Sequence, residues 1–357
     1  MKISRRLTRK IKVGNVRIGG GSNIAVQSMT NTDTSDVEAT VLQIRRLEEA
    51  GCEIVRVSVP DKDSADAIPA IKEGISVPLI ADVHFDWRMA IESIDRGADA
   101  VRINPGNIKD QDIDTIVNAS KKAGISIRIG VNAGSLRRDI LRKYGHPTPE
   151  ALVESALESV KLCEEIGFHD LKLSVKASST TDTIDAYRVL SKETDYPLHI
   201  GVSEAGPTLQ GTVKSSVGLG ILLAEGIGDT MRVSLSADPV QEVAVAYEIQ
   251  KALGLRGGIE IISCPTCARC KTDLIRLVED ATAAFAPYRD FDIKIAIMGC
   301  VVNGPGEATE ADVGIAAGLG KGVLFKGGHV VKNIDEHDYL KELMIAVKDI
   351  TDKREVK

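Results

Sequence analysis

Aromatic side chains are scarce in this 357-residue chain: five Phe, six Tyr and a single Trp, Trp87. Binding of single-stranded nucleic acid relies on aromatic platforms beside positive charge. With few aromatics and a net charge of −6, neither a general nucleic-acid binder nor an anionic-membrane binder is expected. No apolar run approaches the roughly 20 residues that span a bilayer. The basic start MKISRRLTRKIKVGN has no apolar stretch behind it, so no signal peptide is read there and a cytoplasmic protein is expected. A G-x-G-x-x-G fingerprint between a strand and a helix is missing too, which argues against an open dinucleotide-binding sheet. Nor do the cysteines suggest a disulfide framework. Four of the six, Cys264, Cys267, Cys270 and Cys300, fall in one short region of a large chain, a pattern of metal or redox chemistry. Cys52 and Cys163 sit in apolar surroundings and are expected to be buried small hydrophobes.

What the chain does have is a repeated unit. After a hairpin turning at Gly14-Asn15, a short apolar run, a polar loop, an amphipathic helix and a glycine recur. The runs are 25–30, 54–59, 78–83, 100–105, 127–132, 171–176, 198–203 and 230–236. Ser35 with Glu38 predicts a capping box, and Thr148-Pro149 and Asp238-Pro239 predict caps before a first-turn proline. Gly51, Gly74, Gly97, Gly124, Gly167 and Gly254 are expected to stop helices in the left-handed conformation. Eight such units predict a (β/α)8 TIM-type barrel. The pattern changes after Gly257-Gly258, so the expected domains are 1–256, the barrel with its hairpin, and 257–357, a small α+β domain. DKREVK at the C-terminus reads as a frayed tail.

Alternate residues of a barrel strand face its interior. In IVRVSV that register turns Arg56 and Ser58 inward. The same parity selects Asp82 and His84, Arg102 and Asn104, Arg128 and Asn132, Lys172, Ser174 and Lys176, and Arg232, Ser234 and Ser236. Six cations then face one clear carboxylate, Asp82. Unpaired buried charge is costly, so an anionic ligand is expected where this fold places its active sites, at the strand C-terminal ends. A diphosphate suits planar Arg donors. The competing reading is ion pairing with loop carboxylates such as Glu204. The long basic loop AGSLRRDILRKYGHP after the fifth run is read as either a lid or a solvated face.

Cys264-Pro-Thr-Cys267 follows one strand-like run and Cys300 another. Thiolates bind soft metals, so spacing leaves zinc and an iron–sulfur cluster both open. It also leaves open whether the fourth ligand is Cys270, completing C-x2-C-x2-C, or Glu307 at the end of the turn VVNGPGE.

The segments SCPTC at 263–267 and GCVVNGPGE at 299–307 together resemble the cluster motifs of the 4-hydroxy-3-methylbut-2-enyl diphosphate synthases. QSMTNT at 27–32, RVSVP at 56–60, ADVHFD at 81–86, RINPGN at 102–107, RIGVNAGSL at 128–136, LKLSVKAS at 171–178 and HIGVSEAG at 199–206 agree. The resemblance covers nearly the whole chain and is to the compact two-domain bacterial form. It implies two-electron reductive ring opening and dehydration of 2-C-methyl-D-erythritol 2,4-cyclodiphosphate to (E)-4-hydroxy-3-methylbut-2-enyl diphosphate, in non-mevalonate isoprenoid synthesis. It further implies a [4Fe-4S] cluster on Cys264, Cys267, Cys300 and Glu307, with Cys270 outside the set, and flavodoxin or ferredoxin as electron donor. The diphosphate pocket falls on Arg56, Arg102, Arg128, Asn132, Lys176, Arg232 and Ser234, to which strand register adds Asp82, His84 and Lys172. Glu307 is expected to leave the cluster as substrate arrives, and Glu204 is a candidate proton donor. A head-to-tail homodimer is expected, one protomer's cluster domain capping the other's barrel. The competing function is a non-redox barrel transferase similar to dihydropteroate synthase, with structural zinc in the C-terminal domain.

Overall fold

A computed structural model describes residues 3–300 and 309–355. The chain divides into two compact units, Met1–Leu253 and Gly254–Lys357.

In the first unit, β1 (Ile11–Val13) and β2 (Val16–Ile18) form the hairpin, with Gly14 at φ +54° in the turn. Eight parallel strands follow: β3 (Ala25–Met29), β4 (Ile54–Ser58), β5 (Leu79–Asp82), β6 (Ala100–Ile103), β7 (Ser126–Asn132), β8 (Leu171–Lys176), β9 (His199–Ile200) and β10 (Thr230–Met231). Their order is β8-β7-β6-β5-β4-β3-β10-β9. A parallel bridge between Leu173 and Leu198 joins the two ends, giving the expected barrel. The last two strands are far shorter than the apolar runs suggested. Past Ile200 the chain passes Gly201, where a Cβ would lie 2.4 Å from Lys176 Nζ, and bends away toward Glu204.

Strand parity divides the interior into levels. Ile11, Val13 and Ile18 of the hairpin pack on inward-facing Ala25, Ile54, Ile80 and Ala100, so apolar side chains seal the end where the strands begin. Polar and charged residues occupy the levels above.

The helices α1 (Val37–Glu49), α2 (Lys62–Asp66), α3 (Ile68–Glu73), α4 (Trp87–Asp95), α5 (Asp110–Ala123), α6 (Arg138–Tyr144), α7 (Pro149–Glu165), α8 (Thr180–Glu193), α9 (Thr208–Ala224) and α10 (Pro239–Ala252) lie between the strands. Thr148 and Asp238 cap α7 and α10 as their sequences suggest. The capping box does not form. Asp36 caps α1 by accepting from Ala39 N, and Ser35 instead bonds Asp33. Gly74 ends α3 with an ordinary φ of −91°. Its lack of a side chain serves packing, since a Cβ would meet Val41 at 2.7 Å.

Residues 5–9 strap the short-stranded side of the barrel. Arg5 pairs with Asp229 and donates to the carbonyls of Ser22 and Gly228. Arg6 donates to the carbonyls of Ser191, Thr194 and Tyr196. Arg9 pairs with Asp195 and lies 4.3 Å from the Tyr196 ring centre.

The second unit is a five-stranded sheet of order β11 (Ile259–Ser263), β12 (Ile293–Met298), β13 (Val313–Ala317), β14 (Lys321–Lys326) and β15 (His329–Asp335). The first three strands run parallel and the rest antiparallel. Helix α11 (Leu274–Phe285) connects β11 to β12, and α12 (Tyr339–Glu355) ends the described chain. Phe285, Ile295, Ile297, Val313, Ile315 and Leu343 form part of its core. The expected frayed tail is instead helical as far as Glu355, because α12 buries Leu343, Ala346 and Val347 against that core. Among the described residues no helix is long and apolar enough to cross a membrane.

Candidate functional site

A cavity of about 560 Å³ opens at the C-terminal ends of the barrel strands. Of the sequence-predicted pocket residues, Arg56, Asp82, His84, Arg102, Arg128, Asn132, Lys176, Arg232 and Ser234 all line it, as does Glu204. They come from seven strands or strand ends, β4 to β10, so the barrel converts one residue parity into one shared surface. Met29, Asn104, Asn107, Ser174, Ser178 and Ser203 complete much of the wall. Lys172 is 1% exposed and lies one inward position before Ser174 on β8.

The cations are only partly balanced. Asp82 accepts from Arg102 Nη1 at 3.1 Å and lies 3.3 Å from Arg56 Nε and 3.8 Å from His84 Nε2. Burial alone would raise the Asp82 carboxyl, but Arg56, Arg102 and Arg128 outweigh it and hold the group below the usual carboxylate range. The second carboxylate was not foreseen. Glu242, 3% exposed on α10, takes Arg232 in two bonds of 3.1 and 3.2 Å and accepts from Ser28 Oγ and Leu235 N. The carboxylate that pairs with Arg232 is therefore Glu242, not loop residue Glu204.

Among the described residues Arg128, Lys172 and Lys176 have no carboxylate partner. Arg128 Nε and Nη1 and Lys172 Nζ are buried without a hydrogen-bond acceptor. Burial, reinforced by the neighbouring arginines, pushes both lysines and Arg128 well below their ordinary pKa values. Beneath them His199 holds Thr230 Oγ1 at 2.8 Å through Nδ1, and its Nε2 has no partner. Glycines make room for the cationic heads: a Cβ at Gly130 would come within 2.5 Å of Arg102 Nε, just as one at Gly201 would strike Lys176. Glu204 has φ +53°, the left-handed region that non-glycine residues adopt at a cost of order 1–3 kcal/mol. Strain of this kind is characteristic of functional positions.

The basic loop after β7 is largely exposed beyond its first turn, as a solvated face would be. Its first turn, Ala133–Ser135, lines the cavity. Two of its cations have carboxylate partners, Arg137 with Asp110, Asp139 and Glu158, and Lys143 with Glu154, while Arg138 and Arg142 are exposed.

In the second unit, β11 and β12 run side by side with Ser263 opposite Ile297. Cys264 and Cys300 therefore leave the sheet at the same edge. Gly299 N donates to Cys264 Sγ at 3.3 Å. Cys267 is exposed, and bonds from Arg269 lower its thiol pKa, which favours the thiolate that binds metal. Cys52 and Cys163 are buried as expected, their thiols pushed up to about 12 by desolvation. Glu307 lies outside the described residues. Among the described residues no three of the cysteine sulfurs lie within 4.8 Å of one another. Soft donors held beyond the ends of two adjacent strands fit a thiolate-bound metal group such as an iron–sulfur cluster.

Comparison with known proteins agrees with this division. The family model described as the GcpE TIM-barrel domain matches residues 8–247, and that of the GcpE protein C-terminal domain matches residues 260–349. A protein of Caldanaerobacter subterraneus subsp. tengcongensis, 4-hydroxy-3-methylbut-2-en-1-yl diphosphate synthase (flavodoxin), is 56% identical over 96% of this chain and 97% of its own length. One of the same name from Clostridium perfringens is 53% identical over 98% of this chain and 100% of its own. Among solved structures, the sialic acid synthetase of Leptospira borgpetersenii aligns with TM-score 0.50 at 13% identity, over 78% of this chain and 99% of that one. Dihydropteroate synthase of Xanthomonas albilineans gives TM-score 0.49 at 14% identity, over 68% and 98%. At such identities only the barrel fold is shared, and the transferase reading has no further support.

The unpaired lysine yields a test. Unfolded lysine keeps its proton to about pH 10.4, whereas folded Lys172 releases it well below that value. Between those limits the unfolded chain holds more protons, so stability should rise with pH. Lys172→Met should stabilise the protein by about 1–4 kcal/mol at neutral pH, as apolar replacements of buried charge do, and should reduce that slope. Denaturant midpoints across the pH range check it. Equal midpoints and slopes would mean that the ammonium is well accommodated.

Proposed function

Because the chain belongs to the GcpE family of 4-hydroxy-3-methylbut-2-en-1-yl diphosphate synthases, we propose that its barrel cavity binds the cyclic diphosphate and its cysteine edge holds the electron-delivering cluster. The reaction is the two-electron reductive ring opening and dehydration of 2-C-methyl-D-erythritol 2,4-cyclodiphosphate to (E)-4-hydroxy-3-methylbut-2-enyl diphosphate, a step of non-mevalonate isoprenoid synthesis. The observation that carries the pocket assignment is the set of inward cations without a carboxylate among the described residues: Arg128, Lys172 and Lys176.

Arg56, Arg102, Arg128, Lys176 and Arg232 take the diphosphate oxygens, with Asn132 and Ser234 as neutral donors. Asp82 holds Arg56 and Arg102 in place by their ion pairs, so their donors are oriented before substrate arrives. His84, beside Asp82, closes that side of the pocket. Cys264, Cys267 and Cys300 with Glu307 hold a [4Fe-4S] cluster. When bound, the cluster supplies the two electrons and an iron with Lewis acidity. Glu307, a hard carboxylate among soft thiolates, is the holder that yields on substrate arrival. Glu204, held at the cavity wall by a strained backbone, gives the proton with which the departing oxygen leaves as water. Flavodoxin supplies the electrons, in keeping with the relatives' names; ferredoxin is the other carrier to test.

A homodimer supports this arrangement. The chain leaves the barrel at Leu253, after α10, where Gln250 donates to Ile24 O at the start of β3. That is the end of the barrel opposite the cavity. A head-to-tail partner can bring its own cluster to the cavity without requiring the chain to double back.

Anaerobically purified protein should be brown, carry about four irons and little zinc per chain, and turn over the cyclodiphosphate with reduced flavodoxin. A colourless zinc protein would overturn the cluster reading. Glu204→Gln should lower kcat by about 10²- to 10⁴-fold with substrate binding retained, and unchanged turnover would remove Glu204 from the proton path. Subunit mixing tests the dimer. Arg128→Met and Cys300→Ser are each expected to be inactive, while their hybrid should regain turnover. A mixture that stays inactive, or a fully active monomer, would refute shared sites.

A further inference from the structure

We propose that Glu242 is the positioning residue for two diphosphate donors, Arg232 and Ser234, doing with a side chain what strand pairing does for the other pocket cations. This rests on the diphosphate reading above and deepens it.

Arg56, Arg102, Arg128 and Lys176 lie within β4, β6, β7 and β8, whose pairing with neighbouring strands fixes their backbone. Strand β10 ends at Met231, so Arg232 and Ser234 stand on irregular backbone beyond it. Arg232 N still donates to Ile200 O at 3.0 Å, and Ser236 N to Gly206 O at 2.9 Å. Between those two bonds Glu242 holds the segment. Its Oε1 accepts from Leu235 N at 3.0 Å and from Arg232 Nη2 at 3.2 Å. Its Oε2 accepts from Arg232 Nε at 3.1 Å and from Ser28 Oγ at 3.0 Å. One carboxylate thus grips the Arg232 guanidinium as a fork and also the backbone next to Ser234. Glu242 is itself anchored. It lies in the first turn of α10, which Asp238 caps and Pro239 starts, and Ser28 ties it to β3. Leu235 sits so close to Gly211 of α9 that a Cβ there would meet it at 2.6 Å, which leaves the segment little room to shift.

Charge acts in the opposite direction. A carboxylate lowers the positive potential that draws an anion into the cavity, so removing its charge would by that effect alone tighten diphosphate binding. A bidentate pair fixes the plane of a guanidinium, and a donor fixed beforehand loses less freedom when its ligand arrives. Glu242 touches Arg232 directly, whereas an anion in the cavity meets the carboxylate only across that guanidinium. Orientation is therefore the larger effect. In Glu242→Gln the amide would aim an N–H at a donor of Arg232 whichever way it is turned, and the fork would open.

Titration calorimetry of the whole chain with 2-C-methyl-D-erythritol 2,4-cyclodiphosphate tests this. Glu242→Gln should weaken Kd by about 10- to 100-fold, as removal of a group that orients a ligand-holding side chain does. In the double variant with Arg232→Met the two losses should fall well short of adding, because Glu242 acts through that arginine. With Asn132→Ala, on paired strand β7, they should add in full. Unchanged or tighter binding by Glu242→Gln, or full additivity with Arg232→Met, overturns the proposal. So does a reduced number of binding sites at an unaltered Kd, the mark of a residue needed only for folding. If Glu242→Gln does not fold, Arg232→Met with Glu242→Met removes both charges together, a change that buried pairs tolerate. Ser234→Ala should then cost less affinity in that background than in the wild type, and an equal cost overturns the proposal. Wild-type protein that binds no cyclodiphosphate would instead sink the diphosphate reading itself.

Discussion

Like charges crowded into a small apolar volume repel one another and lack water, and six basic side chains share the interior of this barrel. Two carboxylates pair with them: Asp82 with Arg56 and Arg102, and Glu242 with Arg232. Much of the first unit can be understood as accommodation of that imbalance. The hairpin closes the lower end with apolar side chains, so the uncompensated cations meet solvent only through the cavity. Glycines stand where side chains would displace Arg102 and Lys176. Arg56 and Arg232 both rest on the Met29 sulfur, a polarizable contact where a third carboxylate would have cancelled the field. An anion entering this cavity meets donors already oriented and poorly solvated, which is the condition under which charge–charge recognition is strongest.

The second unit reaches its chemistry by a different route. Its thiols need no charge surplus. Two neighbouring parallel strands end together, and their last residues deliver Cys264 and Cys300 to one edge. The turn after β11 adds Cys267 and Cys270. Backbone bonds within and across that turn fix the sulfurs before any metal is present, so ordering costs less on binding. Positioning falls to the sheet, and reactivity to exposure and to local donors such as Arg269.

Strand parity made the pocket legible in the sequence. A charged residue flanked by β-branched residues, as Arg56 is between Val55 and Val57, has only one face to occupy in a barrel. Glu242 was not legible, because an acid in the first turn of a helix already has an ordinary explanation in the helix dipole. Only the tertiary structure brings it against Arg232. The short extents of β9 and β10 were hidden for a related reason: their apolar runs continue as buried but irregular backbone, as at Val202 and Val233. The cap of α1 moved from Ser35 to Asp36 because two adjacent residues could each serve. The pairing of Arg137 and Lys143 in the basic loop after β7 was hidden because the carboxylates of α5 and α7 that meet them lie elsewhere in the chain.

The strap formed by residues 5–9 has a bearing on how the barrel is made. These residues precede every barrel strand, yet apart from Ser22 the partners named above, Ser191 to Asp229, belong to its last quarter. During synthesis the arginines emerge first, and most of their partners follow only after β8 has been produced. Ring closure also depends on the two shortest strands, which contribute few ladder bonds of their own. Completion of the barrel is thereby tied to the return of its earliest segment, and a chain halted before β9 would lack both closing strands and the Gly228 and Asp229 partners of Arg5.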